Sequence, residues 1–301
     1  MINNDIGVCI PTYNRPKELH RLLMSISQNF KVYVSDNGSM LTDSFKAQHS
    51  NVYIKGLQGP PISMFANWNS AAKLATTAWI AIPSDDDIYY QNSFNIIKSG
   101  IETYKDADII IFGHHVVDDH YKVLSSWKPV YENHIAPDGF FSSRYGVDAR
   151  MPSIFFKRRL LEKLEFFDED LILTGSDSDL IQRALLEGQA VFIPEIVAGY
   201  RVWRGGATHK TIATDAWMSD IETWTVKLEK RLKQIPKYEK LARKIRSEIY
   251  ARNLLAGINH LRYQKLTKNC FQHLIHHSYP IHAKFITQLK IFYAVLLSLK
   301  K

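Results

Sequence analysis

Four short apolar runs, divided by turn residues and helical patterns, constrain this chain more than any other feature. "IGVCIP" (6–11), "KVYVSDNGS" (31–39), "NVYIKG" (51–56) and "AWIAIP" (78–83) have strand length and are bounded by polar residues. After the first, "RPKELHRLLMSI" sets Leu19, Leu22, Leu23 and Ile26 at helical spacing, with Pro16 suited to a first helical turn. "MFANWNSAAKLATT" (64–77) reads as another helix and "DADIIIFG" (106–113) as another strand. This alternation implies βαβ units: an α/β fold with a mainly parallel sheet flanked by helices.

Ligands of such sheets bind beyond the carboxyl ends of the strands. Asp36 and the triplet Asp85, Asp86 and Asp87 both follow strand candidates directly. In "IPSDDDIYY" (82–90) three adjacent carboxylates repel one another. A hard cation, Mg²⁺ or Mn²⁺, commonly binds one or two carboxylates plus substrate phosphates and would offset that repulsion. The plainer reading is a solvated acidic turn capping the next helix. Asp36 suits a hydrogen bond to a ribose or base, and Asp-Asn-Gly is equally a common turn. In "LTGSDSDLIQRALLEGQAVFIPE" (173–195), Asp177 and Asp179 precede an amphipathic helix carrying Leu180, Ala184 and Leu185. Either acid would cap that helix, and an exposed aspartate there is also well placed to take a proton from a substrate hydroxyl.

The net charge of +8 is unevenly distributed along the 301 residues. Residues 227–301 carry 17 Lys and Arg against 3 Asp and Glu, whereas residues 1–226 carry 21 against 27. A tail so basic suits an anionic partner, membrane phospholipid or nucleic acid. From about residue 214 the pattern is helical, with Trp217, Ile221, Trp224 and Leu228, then Leu241, Ile245 and Ile249 beyond Pro236. After Pro280, Phe285, Leu289, Phe292 and Leu296 form another apolar stripe. Flanked by lysines, residues 283–301 suit either an interfacial helix on anionic lipid or a helix packed on the enzyme domain. No apolar run reaches the roughly 18 residues of a spanning helix. Cys9, in an apolar run, and Cys270 make no disulfide framework, and no signal peptide is visible, so a cytoplasmic location is expected. His114, His115, His273, His276, His277 and His282 lack acidic or cysteine companions and read as surface or interfacial residues, not a zinc site.

Four segments, "VCIPTYNRPKELHRLLMSI", "VYVSDNGS", "NWNSAAKLATTAWIAIPSDDDIYY" and "GSDSDLIQRALLEG", occur in an order and spacing that resembles the family-2 glycosyltransferases, over roughly residues 5–205. The resemblance implies the GT-A fold over residues 1–212, a basic helical region over 213–301, and an inverting, metal-dependent transfer from a nucleotide-diphosphate sugar to a hydroxyl. By the same resemblance, Pro11, Thr12, Tyr13 and Arg15 line the nucleotide pocket, Asp36 contacts the nucleoside, and Asn67 lies near nucleotide and phosphates. Asp85 and Asp86 touch the donor, Asp85, Asp86 and Asp87 form a DXD-like motif for Mg²⁺ or Mn²⁺, Asp177 is the catalytic base, and Arg183 matches an arginine in the following helix.

Three departures stand out. The usual "ED" reads Ser176-Asp177, the triplet has two registers, so the metal ligand is Asp86 or Asp87, and Trp203 holds the place of a histidine in a "YRxH" segment. His209 or a further water would then complete the metal's shell. The implied biology is bacterial surface polysaccharide assembly (O-antigen, capsule or lipooligosaccharide) on a glycan or lipid-linked acceptor. The anionic inner face of the cell membrane would be met through the C-terminal helices, and no nucleic acid is a partner. Two other classes compete. A sugar nucleotidyltransferase needs a glycine-rich phosphate loop that "IPTYNRP" lacks, and a nucleic-acid-binding protein would use the basic tail. Oligomeric state is not readable from the sequence.

Overall fold

A computed structural model describes residues 5–38, 40–203 and 205–299. By compactness the chain divides into two units. The first comprises Met1–Ser143, Val147–Glu169 and Leu180–Trp203, and the second Arg144–Gly146, Asp170–Asp179 and Arg204–Lys301.

The first unit is built on a ten-stranded sheet. β1 (Ile6–Thr12) is buried at every position, as a strand covered on both faces must be. α1 (Pro16–Ser25) has Pro at its first turn and buries Leu19, Leu22 and Leu23 at the predicted spacing. β2 (Lys31–Asp36), α2 (Asp43–Gln48) and β3 (Val52–Gly56) follow. The Ser63 hydroxyl caps α3 (Met64–Lys73), which leads to β4 (Trp79–Ala81). Then come β5 (Ile88–Tyr89), α4 (Ser93–Thr103), β6 (Ile109–Val117), β7 (Val123–Trp127), β8 (Glu132–His134) and α5 (Phe140–Ser143). β9 (Ile154–Lys157), α6 (Arg158–Lys163), α7 (Ser176–Glu187) and β10 (Ala190–Arg201) end the series, with α7 entering from the second unit.

Strand order is β3-β2-β1-β4-β9-β6-β10-β5, with β7 on β6 and β8 on β10. β3, β2, β1 and β4 are mutually parallel, the half predicted from strand–helix alternation. Beyond β4 the sheet is mixed: β9 runs antiparallel to β4 and β6, β10 is parallel to β6, and β5, β7 and β8 add antiparallel edges. The core joins Ile6, Val8 and Ile10 of β1 to Leu19 and Leu22 of α1, Phe112 of β6 and Phe155 of β9. Cys9 is fully buried, as expected. The sheet and its flanking helices make this the GT-A architecture, followed by a helical C-terminal region.

That region holds α8 (Ala207–Thr211), α9 (Asp215–Leu232), α10 (Ala242–Tyr263), α11 (Thr267–His276) and α12 (Phe285–Ser298). Thr214 caps α9, which buries Trp217, Ile221, Trp224 and Leu228 as their spacing predicts. α12 is tied to α10 through buried Glu248, whose carboxylate accepts from the Thr287 hydroxyl at 2.8 Å and the Lys284 amide at 2.9 Å. The stripe of Phe285, Leu289, Phe292 and Leu296 is exposed, while Thr287, Ile291, Ala294, Val295 and Ser298 form the buried face. Among the described residues no helix is long and apolar enough to cross a membrane.

Ile10 is fully buried at the centre of the sheet. Ile10→Ala is expected to cost about 2–5 kcal/mol through lost burial and a residual cavity, read as a lower urea midpoint.

Candidate active site

From β1 the chain steps outward to β2 and β3, then returns to the other flank of β1 as β4. The carboxyl ends of β1 and β4 therefore form a topological switch point, where open α/β sheets bind ligands. Thr12 ends β1 in register with Asp36 at the end of β2, and three residues after β4 the chain enters the acidic triplet.

The three aspartates are all buried, yet each has a different set of partners. Asp85 accepts from the Thr12 hydroxyl at 2.8 Å and from Arg15 Nη1 at 2.6 Å. Asp86 Oδ2 accepts from Arg15 Nη2 at 2.9 Å and lies 3.8 Å from Arg201 Nη1. Asp87 spends both oxygens on backbone, accepting from the amides of Ser84 at 2.8 Å and Arg201 at 3.2 Å. One guanidinium thus spans two carboxylates, the strong charge-assisted geometry of arginine. Trp203 lies 5.4 Å from the Arg15 guanidinium and 5.3 Å from that of Arg201, within cation–π range of both. Tyr121 lies 5.6 Å from Arg201 and donates its hydroxyl to the Asp86 carbonyl at 3.3 Å.

Burial pushes the Asp85 carboxyl up to about 6, with Arg15 opposing and Asp86 adding to the rise. Burial, then the charge of Asp86, holds Asp87 well above the usual carboxylate range despite its two amide donors. Burial disfavours the Arg15 cation, but Asp85 and Asp86 together outweigh it and raise Arg15 above its ordinary value.

Beside the triplet, Pro11 is buried in β1, and Tyr13 exposes half its surface. Asn14 takes a left-handed conformation (φ 55°), which asparagine tolerates better than most residues. Gly38 approaches so closely that an added Cβ would collide with Asn14. Asp36 Oδ1 accepts from the Gly38 amide at 3.0 Å, and burial raises its carboxyl against that hydrogen bond and the charge of Lys46. Asn67 is buried on α3 and donates to the Thr12 carbonyl at 3.1 Å, while its Oδ1 has no partner. A buried acceptor with no partner among the described residues is uncommon. Direct bonds therefore link Thr12, Arg15, Asp85, Asp86 and Asn67.

Asp177 stands in the first turn of α7, where Oδ1 accepts from the Ser178 amide at 2.7 Å. The loop before it is held by buried Asp220 of α9, which accepts amides of Ile172 at 3.0 Å, Leu173 at 2.6 Å and Thr174 at 3.0 Å. Gly175 then turns the chain with φ 82°. Arg183 donates to the carbonyls of Leu164 at 2.6 Å and Phe166 at 2.7 Å, bracing a turn whose Glu165 and Phe166 have φ of 59° and 63°. His209 belongs to the second unit, 4.9 Å ring to ring from His260. Both line a cavity of about 410 Å³ with Lys210 and Thr214.

Among the described residues no group of three or more His, Cys, Asp or Glu is arranged to hold a metal. What the triplet offers is the carboxylates of Asp85 and Asp86. Three contributors escaped the sequence reading: Arg201, Tyr121 and Asp220. The first lay in view beside Trp203 in "YRVWRGG", but the other two carry no local signal.

An acid-lined switch point on an α/β sheet is a ligand-binding edge of the kind found in nucleotide-binding folds. Residues 7–165 match glycosyl transferase family 2, and the chain belongs to that family. It is a glycosyltransferase. No curated protein sequence matches it significantly. Among solved structures, S. aureus TarS 1-349 in complex with UDP-GlcNAc is similar at 14% identity and a TM-score of 0.65, covering 98% of this chain and 90% of that one. The chain spans 53% of the longer TarS structure. Mannosyltransferase PcManGT from Pyrobaculum calidifontis, in complex with GDP-Man and Mn²⁺, is similar at 16% identity and a TM-score of 0.55, covering 98% and 87%.

Two outcomes are expected. Asp85 binds its proton more tightly folded than unfolded, so its contribution to stability is fully present below about pH 4 and is lost as pH rises through about 6. Asp85→Asn should lack this fall, seen by comparing unfolding midpoints of the two proteins across that window. Asp220→Ala leaves three amides without an acceptor and should cost about 3 kcal/mol, with faster hydrogen exchange at residues 172–174.

Proposed function

We propose that the chain transfers a sugar, with inversion, from a nucleotide-diphosphate donor to a hydroxyl of a glycan or lipid-linked saccharide in bacterial surface polysaccharide assembly, at the cytoplasmic face of the membrane. One observation carries the donor side: the linked group of Thr12, Arg15, Asp85, Asp86 and Asn67 at the switch point, with the Asn67 acceptor left unmatched. The likeness to structures holding UDP-GlcNAc and GDP-Man supports the same donor class.

Asp36 and the Pro11–Arg15 loop, with Tyr13 at its surface, would hold the nucleoside, and the Asn67 oxygen would accept from a donor hydroxyl or amide. Asp177 would take the proton of the acceptor hydroxyl as its oxygen attacks the anomeric carbon. The bond to the diphosphate breaks in the same step, its electron pair leaving with the diphosphate oxygen. Arg15 and Arg201, beside Asp85 and Asp86, would be the chain's own cations facing that charge.

The donor set at Asp85 and Asp86 fits Mg²⁺ or Mn²⁺: hard oxygens, too few for a protein-only cage, as suits ions that share their shell with water and phosphate. Asp86 would hold the ion together with Asp85, whose carboxylate would exchange its Thr12 or Arg15 side-chain donor for the ion, whereas both oxygens of Asp87 serve fixed backbone amides. Bound there, the ion would stabilise negative charge on the leaving diphosphate.

Metal-dependent thermal stabilisation and slow hydrolysis are to be screened across UDP-, GDP-, dTDP- and CMP-sugars. At least one donor should respond with Mn²⁺ and lose the response in EDTA; silence from every donor would sink the assignment. With the responding donor, Asp177→Asn should slow transfer by about 10²–10⁴-fold, the usual worth of a general base, while donor affinity is kept. A variant transferring at the parental rate would remove Asp177 from that role.

A further inference from the structure

α12 distributes its side chains the wrong way round for a helix that merely completes a core. Its buried face carries mostly small or short side chains: Thr287, Ala294, Val295 and Ser298, with Ile291 as the one large exception. Its outward face carries Phe285, Ile286, Leu289, Phe292, Tyr293 and Leu296, each between 46% and 74% exposed. Lys290 is the one charged residue on the whole helix. A contiguous apolar face of this kind on a protein surface marks an interaction site.

The charge around the helix decides what kind of partner fits. Residues 249–301 hold eight Lys and Arg and no Asp or Glu. The last carboxylate before them, Glu248, is buried and bonded to Thr287 and the Lys284 amide. A second copy of the chain would bring an identical basic surplus to the contact, and the two would repel. A phospholipid surface with anionic headgroups instead matches both properties, attracting the lysines and arginines and receiving the aromatic and aliphatic side chains. The 14-residue helix spans only about 21 Å, less than the hydrocarbon core, so it can lie in the interface but cannot cross it.

We propose that the outward face of α12 docks the enzyme on an anionic phospholipid bilayer, with the helix lying in the plane of the interface. The proposal concerns lipid alone and stands whichever donor or acceptor the enzyme uses.

The test is co-sedimentation of the full chain with vesicles of phosphatidylcholine, or of phosphatidylcholine mixed with phosphatidylglycerol, at low and high salt. The protein should partition at least about tenfold more strongly onto the phosphatidylglycerol vesicles, with salt weakening that preference. Leu289→Ser/Phe292→Ser should lower the partitioning by about tenfold or more, with circular dichroism and unfolding midpoint unchanged because both side chains lie outside the core. Lys290→Glu should lower it by about fivefold or more. Wild-type protein left in the supernatant with both vesicle types would overturn the proposal, as would partitioning that ignores the serine substitutions. A lipid-free dimer, seen by sedimentation equilibrium and abolished by the same substitutions, would assign the face to a second copy instead. Vesicle binding is scored on protein position alone, so its failure leaves the transferase reading intact.

Discussion

The forked contact of Arg15 with Asp85 and Asp86 is the interaction on which the rest of the site depends. Three adjacent carboxylates in a nearly dry pocket would each lose hydration and repel the others, by about 4 kcal/mol for charges 4 Å apart at an effective dielectric of 20. Arg15 meets two of them with one rigid guanidinium. Asp87 is settled differently, by backbone amides and a strong preference for its proton. The cluster therefore holds together on the chain's own groups, and its repulsion is answered before any cation arrives. That makes the site preorganised, since the carboxylates point where they do because Thr12, Arg15 and the backbone aim them.

Backbone amides do comparable work around the other acids. Asp36 is oriented by the Gly38 amide, and Gly38 can approach because no Cβ stands between it and Asn14. Asp220 gathers three successive amides of the loop that leads into Asp177. In both cases an acid or its approach loop is placed by amides and not by packing, so the placement depends on backbone conformation. This is why a glycine and a left-handed asparagine occur at one place and a glycine with φ 82° at the other.

The parallel half of the sheet was legible because each of its buried strands is a continuous apolar run ended by turn residues. Of the mixed half only β6 was, from the apolar run at 106–113. β7 is mostly exposed and β8 has three residues, so neither carries an apolar run. The triplet could be seen as a cluster, but its division of labour could not. Asp87 is distinguished by the amide of Arg201, 114 residues away, and Asp86 by the side chain of that same arginine. Periodicity marked α12 as apolar without saying which face is buried, because a helix that is apolar nearly all round gives the same signal either way.

Trp203 stands where the resemblance leads to the expectation of a histidine, and the difference has a physical consequence. A histidine there would present a nitrogen lone pair to a metal. Tryptophan has none, and its donor-only ring offers a π face, which here meets the guanidiniums of Arg15 and Arg201. The side chain at this position lies within cation–π range of two cations built into the chain. The ring lies 5.4 Å from the Arg15 guanidinium and 5.3 Å from that of Arg201, so its π face adds an attraction to both cations. One aromatic side chain thereby favours the charges of Arg15 and Arg201 that face the triplet's carboxylates. A metal held at Asp85 and Asp86 would then draw more of its shell from water and the diphosphate, the arrangement that Mg²⁺ and Mn²⁺ accept most readily.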